Sequence, residues 1–300
     1  MLRFGVATAL LCAAASAAFA GDPKFEYGKA DEVAKVKGTE YTASAEAGVV
    51  FTTGNSETTT VTGGAKASRK TGKNKVSAEG SITYARSAVR VLDDLNDNGM
   101  VDNTDEIRTE ESTTAEQLAI KVRYDRFLTE FNSLFLAALV ARDLPAGKES
   151  VIGVQAGYSR QLYKSKTTEA VGEFGYDLSH EDLVAGDAVD IHSARAFVGL
   201  KAEMTEGATF ETSGEVLTNL NPETLPTRTA KVTFGEDTRV NFKASISAKI
   251  GKSTSVQTSI EAHYDNRPAP ANIKGLAMGF VPEASRLDTM MKASFIYTFF

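Results

Sequence analysis

Tryptophan is missing from this chain of 300 residues, histidine occurs three times, and the one cysteine is Cys12. A lone cysteine makes no intrachain disulfide and no zinc cluster, so neither kind of staple holds the fold. With 7 prolines and 24 glycines, the chain is neither collagen-like nor Pro-rich disorder. An excess of basic residues is also lacking: 33 Lys and Arg stand against 39 Asp and Glu, a formal charge of −6. Nucleic-acid binders concentrate Lys and Arg to displace counterions, so no nucleic-acid partner is expected. Mean hydropathy is −0.19, which excludes a helical membrane protein by bulk. Only the very start of the chain is greasy enough to cross a bilayer as a helix.

That start reads as an address. Arg3 supplies a positive charge, Phe4 to Ala14 an apolar run, and Ala18-Phe19-Ala20 an A-x-A cleavage site. Residues 1–20 are therefore expected to be a secretory signal peptide. Leu11, not a small residue, precedes Cys12, which argues against a lipoprotein signal. Without the leader, which holds Arg3 and no acid, 32 basic residues face 39 acidic ones, a charge of −7. Residues 21–40 follow as an N-terminal periplasmic segment, read either as a short helix or as a plug.

From Tyr41 the chain alternates with a period of two. Val240, Phe242, Ala244, Ile246, Ala248 and Ile250 interleave with Asn241, Lys243, Ser245, Ser247 and Lys249. Such a segment is a strand with one greasy and one wet face. Twelve segments read this way: 41–53, 57–71, 75–90, 112–126, 130–142, 150–163, 166–180, 190–203, 207–219, 237–250, 253–267 and 286–300. Most exceed the roughly 9–11 residues that a tilted strand needs to cross a membrane. Strands of soluble proteins usually run only about 5–6 residues. Tight connections such as Thr71-Gly72-Lys73-Asn74 contrast with long ones at 91–111, 181–189, 220–236 and 268–285. The last segment sets Met291, Ala293, Phe295, Tyr297 and Phe299 in phase, with Phe300 one place out. A final amphipathic strand with terminal aromatics resembles the closing strand of outer-membrane barrels.

The expected fold is thus all-β, a transmembrane antiparallel up-and-down barrel spanning residues 41–300, with about twelve strands, short periplasmic turns and long outer loops. In hydrocarbon every backbone N–H and C=O needs a partner, and a closed sheet supplies one for each strand. Parity then points Glu46, Lys66, Glu79, Lys121, Arg123, Glu173, Asp177, Arg195, Lys201, Glu211, Glu215, Lys243, Lys249, Glu261 and Asp265 into the lumen. Two readings stand side by side, an ion-paired core that stabilises the barrel and a narrow aqueous pore for small solutes. Twelve strands lie between the filled eight-stranded and the open sixteen-stranded barrels.

One segment carries metal chemistry. In Asp94 to Asp105, oxygen-bearing side chains fall where a twelve-residue calcium loop needs them, at Asp94, Asn96, Asn98, Asp102 and Asp105. Gly99 takes the sharp-turn position, and Met100 would give its backbone carbonyl. The expected cofactor is Ca²⁺, bound by an outer loop with the weak affinity of extracellular modules, Kd about 10⁻⁴–10⁻³ M. Asp at the last position and Asn98 at the fifth both weaken such a site. No catalytic residues are expected. His180, His192 and His263 lack the surroundings of a lipase or protease, although His263 shares a face with Ser259. A barrel hydrolase and a loop-mediated adhesin or receptor are the alternatives from other classes.

Ala45 to Thr58, a first strand running into Thr53-Gly54-Asn55 and then a Thr-rich second strand, resembles the YdiY-like family of salt-stress-induced outer-membrane proteins. The resemblance implies a barrel in the outer membrane of a Gram-negative bacterium, with lipid, lipopolysaccharide and the barrel-assembly machinery as partners. It implies no activity, because the family is one of unknown function.

Overall fold

The computed structural model describes residues 38–52, 57–92, 107–144, 147–184, 187–224, 231–268 and 286–299. Within them lie β1 (Thr39–Thr52), β2 (Glu57–Thr71), β3 (Asn74–Leu92), β4 (Ile107–Phe127), β5 (Asn132–Asp143), β6 (Lys148–Lys164) and β7 (Thr168–Leu183). They continue with β8 (Val189–Thr205), β9 (Ala208–Asn219), β10 (Glu223–Thr224), β11 (Lys231–Val232), β12 (Thr238–Lys249), β13 (Thr254–Asp265) and β14 (Leu287–Thr298). Twelve close into one barrel, β1-β14-β13-β12-β9-β8-β7-β6-β5-β4-β3-β2, while β10 and β11 pair apart as a short hairpin. Each barrel strand falls on one expected segment, with ends shifted by a few residues. The larger shift is at β3 and β4, which pair out to Leu92↔Ile107 and shorten the expected 91–111 connection to 93–106. Arg86 and Glu111 form an ion pair across that extension, where β4 has already left β5. β1 likewise begins at Thr39; residues 21–37 and Phe300 lie outside the described residues.

The connections at one end of the barrel, 72–73, 128–131, 165–167, 206–207 and 250–253, are tight. Gly72 (φ 54°) and Gly207 (φ 145°) turn two of them through backbone that a Cβ would strain. We call this the turn end; β1 starts there and β14 finishes there. The opposite, loop end carries 93–106, 220–237 and 266–286.

Strand alternation sorts the residues as the hydrogen-bonding argument requires, but inside out relative to a soluble protein. Phe174 is 68% exposed and Val198 56%, whereas Arg123 and Arg195 are each 4% exposed. Tyr41, Tyr124, Tyr163 and Tyr297 face out toward the turn end, and Tyr84, Tyr176 and Tyr264 toward the loop end. Rings at these two levels suit the interfaces that flank a hydrocarbon band.

The barrel closes between β1 and β14, and this seam is short. Only Ser44↔Thr298 through Ala47↔Phe295 are in register, while β12 and β13 pair from Arg239↔Asp265 to Lys249↔Ser255. Phe299 N–H donates to the Ala43 carbonyl at 2.9 Å, extending the seam at the turn end. An ion pair inside the barrel bridges the same two strands, Lys292 Nζ to Glu46 Oε1 at 2.7 Å. A charge-assisted bond of this kind contributes about 1–3 kcal/mol. Replacing Lys292 by Met is expected to lower the temperature at which the folded barrel loses its compact mobility on gels. No change on heating would show the seam to be held by backbone bonds alone.

Candidate functional site in the barrel lumen

The lumen has a filled half and an open half. The filled half grows from β4, whose alternation turns Lys121, Arg123 and Asp125 inward. Arg123 Nη2 donates to Asp125 Oδ1 at 2.8 Å and, across the barrel, to Glu173 Oε1 at 2.7 Å. Glu173 also accepts from Arg195 Nη1 at 2.9 Å, and Arg195 Nε donates to Glu215 Oε1 at 2.6 Å. Asn241 Nδ2 continues the line to Glu215 Oε2 at 3.0 Å, and its Oδ1 lies 2.8 Å from His263 Nδ1. Five ionised groups therefore alternate in sign across the interior. Lys121 Nζ holds Gln155 Oε1 at 2.6 Å, and Gln155 Nε2 in turn donates to Asp177 Oδ1 at 2.8 Å.

Aromatic rings back this ladder. The Arg123 guanidinium lies 4.2 Å from the Phe135 ring centroid, and Arg195 lies 5.5 Å from Phe135 and 5.3 Å from Phe197. Phe135 has room because Gly157 and Gly175 face each other in the next two strands. A Cβ on Gly157 would sit 2.5 Å from the Phe174 carbonyl oxygen and 2.8 Å from Phe135 Cζ. Gly157→Ala is accordingly expected to destabilise the barrel by about 1–3 kcal/mol through overpacking. A urea titration in detergent checks this, and an unchanged midpoint would show that the ring can yield.

The open half is a cavity of about 380 Å³. Its charged lining is already paired: Lys201 with Glu211 at 2.8 Å, Lys243 with Glu261 at 2.8 Å, and Lys292 with Glu46 at 2.7 Å. Lys66 stands in register with Glu79, and Glu79 in register with Lys121. The lining reaches from Ser44 and Thr298 near the turn end to Asp143 and Lys148 at the loop end.

At the loop end Lys148 Nζ meets Glu181 Oε2 at 2.8 Å, and Arg239 Nη1 meets Glu181 Oε1 at 3.2 Å. Close to them lie residues 220–224 and 231–237, pinned by Asn219, which is fully buried. Its Nδ2 donates to the carbonyls of Asn221 (2.9 Å) and Thr233 (3.0 Å), and its Oδ1 accepts from Asp237 N–H at 3.0 Å. Glu223 and Asp237 are buried beside each other, and protonated Glu223 donates a hydrogen bond to the Asp237 carboxylate. Burial, then the neighbouring Asp237 carboxylate, pushes Glu223 up to about 8. Burial raises Asp237 as well.

Of the residues that parity sends inward, Glu46, Lys66, Glu79, Lys201, Glu211, Lys243 and Glu261 line the cavity. Lys121, Arg123, Glu173, Asp177, Arg195, Glu215 and Asp265 are buried. Lys249, the last residue of β12, is exposed. Parity also holds for Asp125, Lys148, Glu181, Arg239 and Lys292, which sequence reasoning passes over. Phe197 turns inward in phase with Arg195 and Lys201 on β8, whereas the inward turn of Phe135 has no such signal, because β5 is largely apolar on both faces. His180 Nδ1 lies 2.7 Å from Asp190 Oδ1, and His192 pairs with Tyr176. The calcium-loop residues Asp94, Asn96, Asn98, Met100, Asp102 and Asp105 lie outside the described residues.

Fold and lumen together define a transmembrane antiparallel β-barrel of the outer-membrane type. The chain belongs to the family described as a protein of unknown function, DUF481, whose model matches residues 45–299 and so includes the first hairpin. No curated protein matches it. Among solved structures it is similar to an outer membrane channel from Pseudomonas putida F1, at 8% identity and TM-score 0.49, covering 92% of this chain and 100% of that one. It is also similar to the translocator domain of autotransporter NalP from Neisseria meningitidis, at 14% identity and TM-score 0.40, covering 90% and 91%. A Pseudomonas aeruginosa FadL homologue gives 11% identity and TM-score 0.39, covering 88% and 76%.

Proposed function

We propose that this protein is a narrow channel for small polar solutes in the outer membrane of a Gram-negative bacterium, without catalytic activity. The observation that carries the reading is the polar cavity running beside the ion ladder from Ser44 and Thr298 to Asp143 and Lys148. A barrel built only for stability would gain by filling that half as well. In this reading the turn end faces the periplasm and the loop end the exterior, with lipopolysaccharide around the outer rim. The barrel-assembly machinery would insert the chain through its last strand. Ca²⁺ held by Asp94 to Asp105 would order the longest hairpin outside the membrane.

Planar-bilayer recordings test the channel. Small, uniform conductance steps in molar KCl are expected, and flat traces at every salt concentration would leave a closed structural barrel. For the loop, millimolar Ca²⁺ is expected to slow protease cleavage between residues 93 and 106. Cleavage at an unchanged rate would remove the calcium reading.

A further inference from the structure

Around the open half of the lumen the inward charge reverses sign from strand to strand. The order is Lys201 on β8, Glu211 on β9, Lys243 on β12, Glu261 on β13, Lys292 on β14 and Glu46 on β1, and Lys66 and Glu79 continue it on β2 and β3. All eight line the one cavity, and their charges sum to zero. Six of them are held as ion pairs of 2.7–2.8 Å. This band sets what the wall attracts.

Neighbouring strands lie about 4.8 Å apart, so the charge pattern repeats over about 10 Å, and its field falls e-fold within about 1.5 Å of the wall. A solute carrying one charge feels almost nothing at the centre of the cavity. At the wall it gains from one partner and is repelled by the next. A free anion that takes a lysine also leaves that lysine's own glutamate unpaired. A solute with an ammonium and a carboxylate up to one strand spacing apart escapes both penalties. It lies across a Lys–Glu pair head to tail and satisfies both ends.

We propose that the alternating band is a filter that favours small zwitterions, molecules of amino-acid type, over singly charged ions of equal size. The proposal rests on the channel reading and names its substrate class. The alternation is itself the recognition element, because it keeps like charges from standing side by side where they would attract single ions, and no single residue acts as the filter.

The test uses the full-length mature barrel in liposomes with three tracers of similar size at micromolar concentration: glycine, acetate and methylammonium. Glycine is expected to enter at least about fivefold faster than either ion, roughly the factor that one partly solvated ion pair supplies. The reversal potential in a KCl gradient is expected at zero. In the double variant Lys243→Gln/Glu261→Gln the glycine advantage is expected to shrink while KCl conductance persists. The exchanged pair Lys243→Glu/Glu261→Lys preserves the bridge and the net charge but breaks the alternation. It too is expected to lose preference, which a purely structural role of the bridge would not cause. Equal entry of glycine and acetate, a strongly ion-selective reversal potential, or unaltered preference in the exchanged pair overturns the proposal and leaves the channel standing. Absence of flux for every solute and ion overturns the channel reading and this proposal with it.

Discussion

Replacing Glu173 by Gln is expected to lower the stability of the folded barrel by about 3–5 kcal/mol, the range found when one partner of a buried ion pair is removed. The reason lies in its position. Its carboxylate is fully buried and accepts from Arg123 at 2.7 Å and from Arg195 at 2.9 Å. Without it two guanidiniums, each 4% exposed, face each other across the lumen above the one Phe135 ring. Neither can reach bulk water, because the same side chains that pair them also seal them in. Total stability of a domain is commonly about 5–15 kcal/mol, so such a loss is a large fraction of it. Lys201→Gln supplies the contrast. Its pair with Glu211 has the same geometry, 2.8 Å, but the two side chains are 30% and 38% exposed. Solvent screens such a pair, and its loss is expected to change stability by less than about 1 kcal/mol. Urea unfolding in detergent micelles reads both. Equal effects of the two substitutions would mean that water reaches the ladder as freely as it reaches the cavity, and the division of the lumen into filled and open halves would fall.

That division is only half legible in the sequence. Alternation is a local signal, and it locates all twelve barrel strands and the inward side of charged ones such as β12, where Lys243 and Asn241 alternate with Phe242 and Ala244. It is silent on β5, where Phe135, Ala137 and Leu139 face in and Leu134, Leu136 and Val140 face out. An apolar residue fits either lipid or a packed lumen, so hydrophobicity alone does not choose. The choice is made by what stands opposite, here Gly157, Gly175, Arg123 and Arg195, all on other strands. The ladder from Arg123 to Glu173 joins residues 50 positions apart across the barrel. No pattern within a strand announces it. The reach of β3 and β4 beyond their neighbours is hidden for a related reason. Glu111, inside the expected 91–111 connection, looks like loop until it is seen to pair with Arg86 across the extended hairpin. Residues 220–224 and 231–236 look structureless because what ties them is mostly side-chain bonding by Asn219 and Asn221, with only a two-residue ladder between β10 and β11.

The same residues supply the second large effect, a loosening of β10 and β11 as the pH rises. Glu223 ionises near its ordinary value when these residues are undocked, and only at about 8 when they are docked. An acid raised in this way is protonated in both states at low pH, so docking then carries no penalty. As the pH climbs through the ordinary carboxylate range the undocked form releases its proton and the docked form does not. Docking therefore weakens steadily until about pH 8 and stays weak above it. The groups that face Glu223 are Asp237 and Glu181, which oppose its charge, and Arg239, which favours it. Lys148 bears on Asp237 in the same favourable sense. Amide hydrogen exchange on β10 and β11 is expected to quicken, beyond the intrinsic effect of pH, by more than about tenfold between pH 5 and pH 9. The size follows because docking loses about a factor of ten for each pH step over which the undocked acid is ionised and the docked acid is not. In Glu223→Gln, which cannot ionise, protection is expected to vary far less with pH and to exceed that of the parent at pH 9. The amides of β12 and β13, laddered to one another, serve as the internal reference. Protection that rises with pH, or a Gln variant that loosens in step with the parent, would mean that β10 and β11 are held by Asn219, Asn221 and their own ladder, and that the buried acid pair has no hold on them.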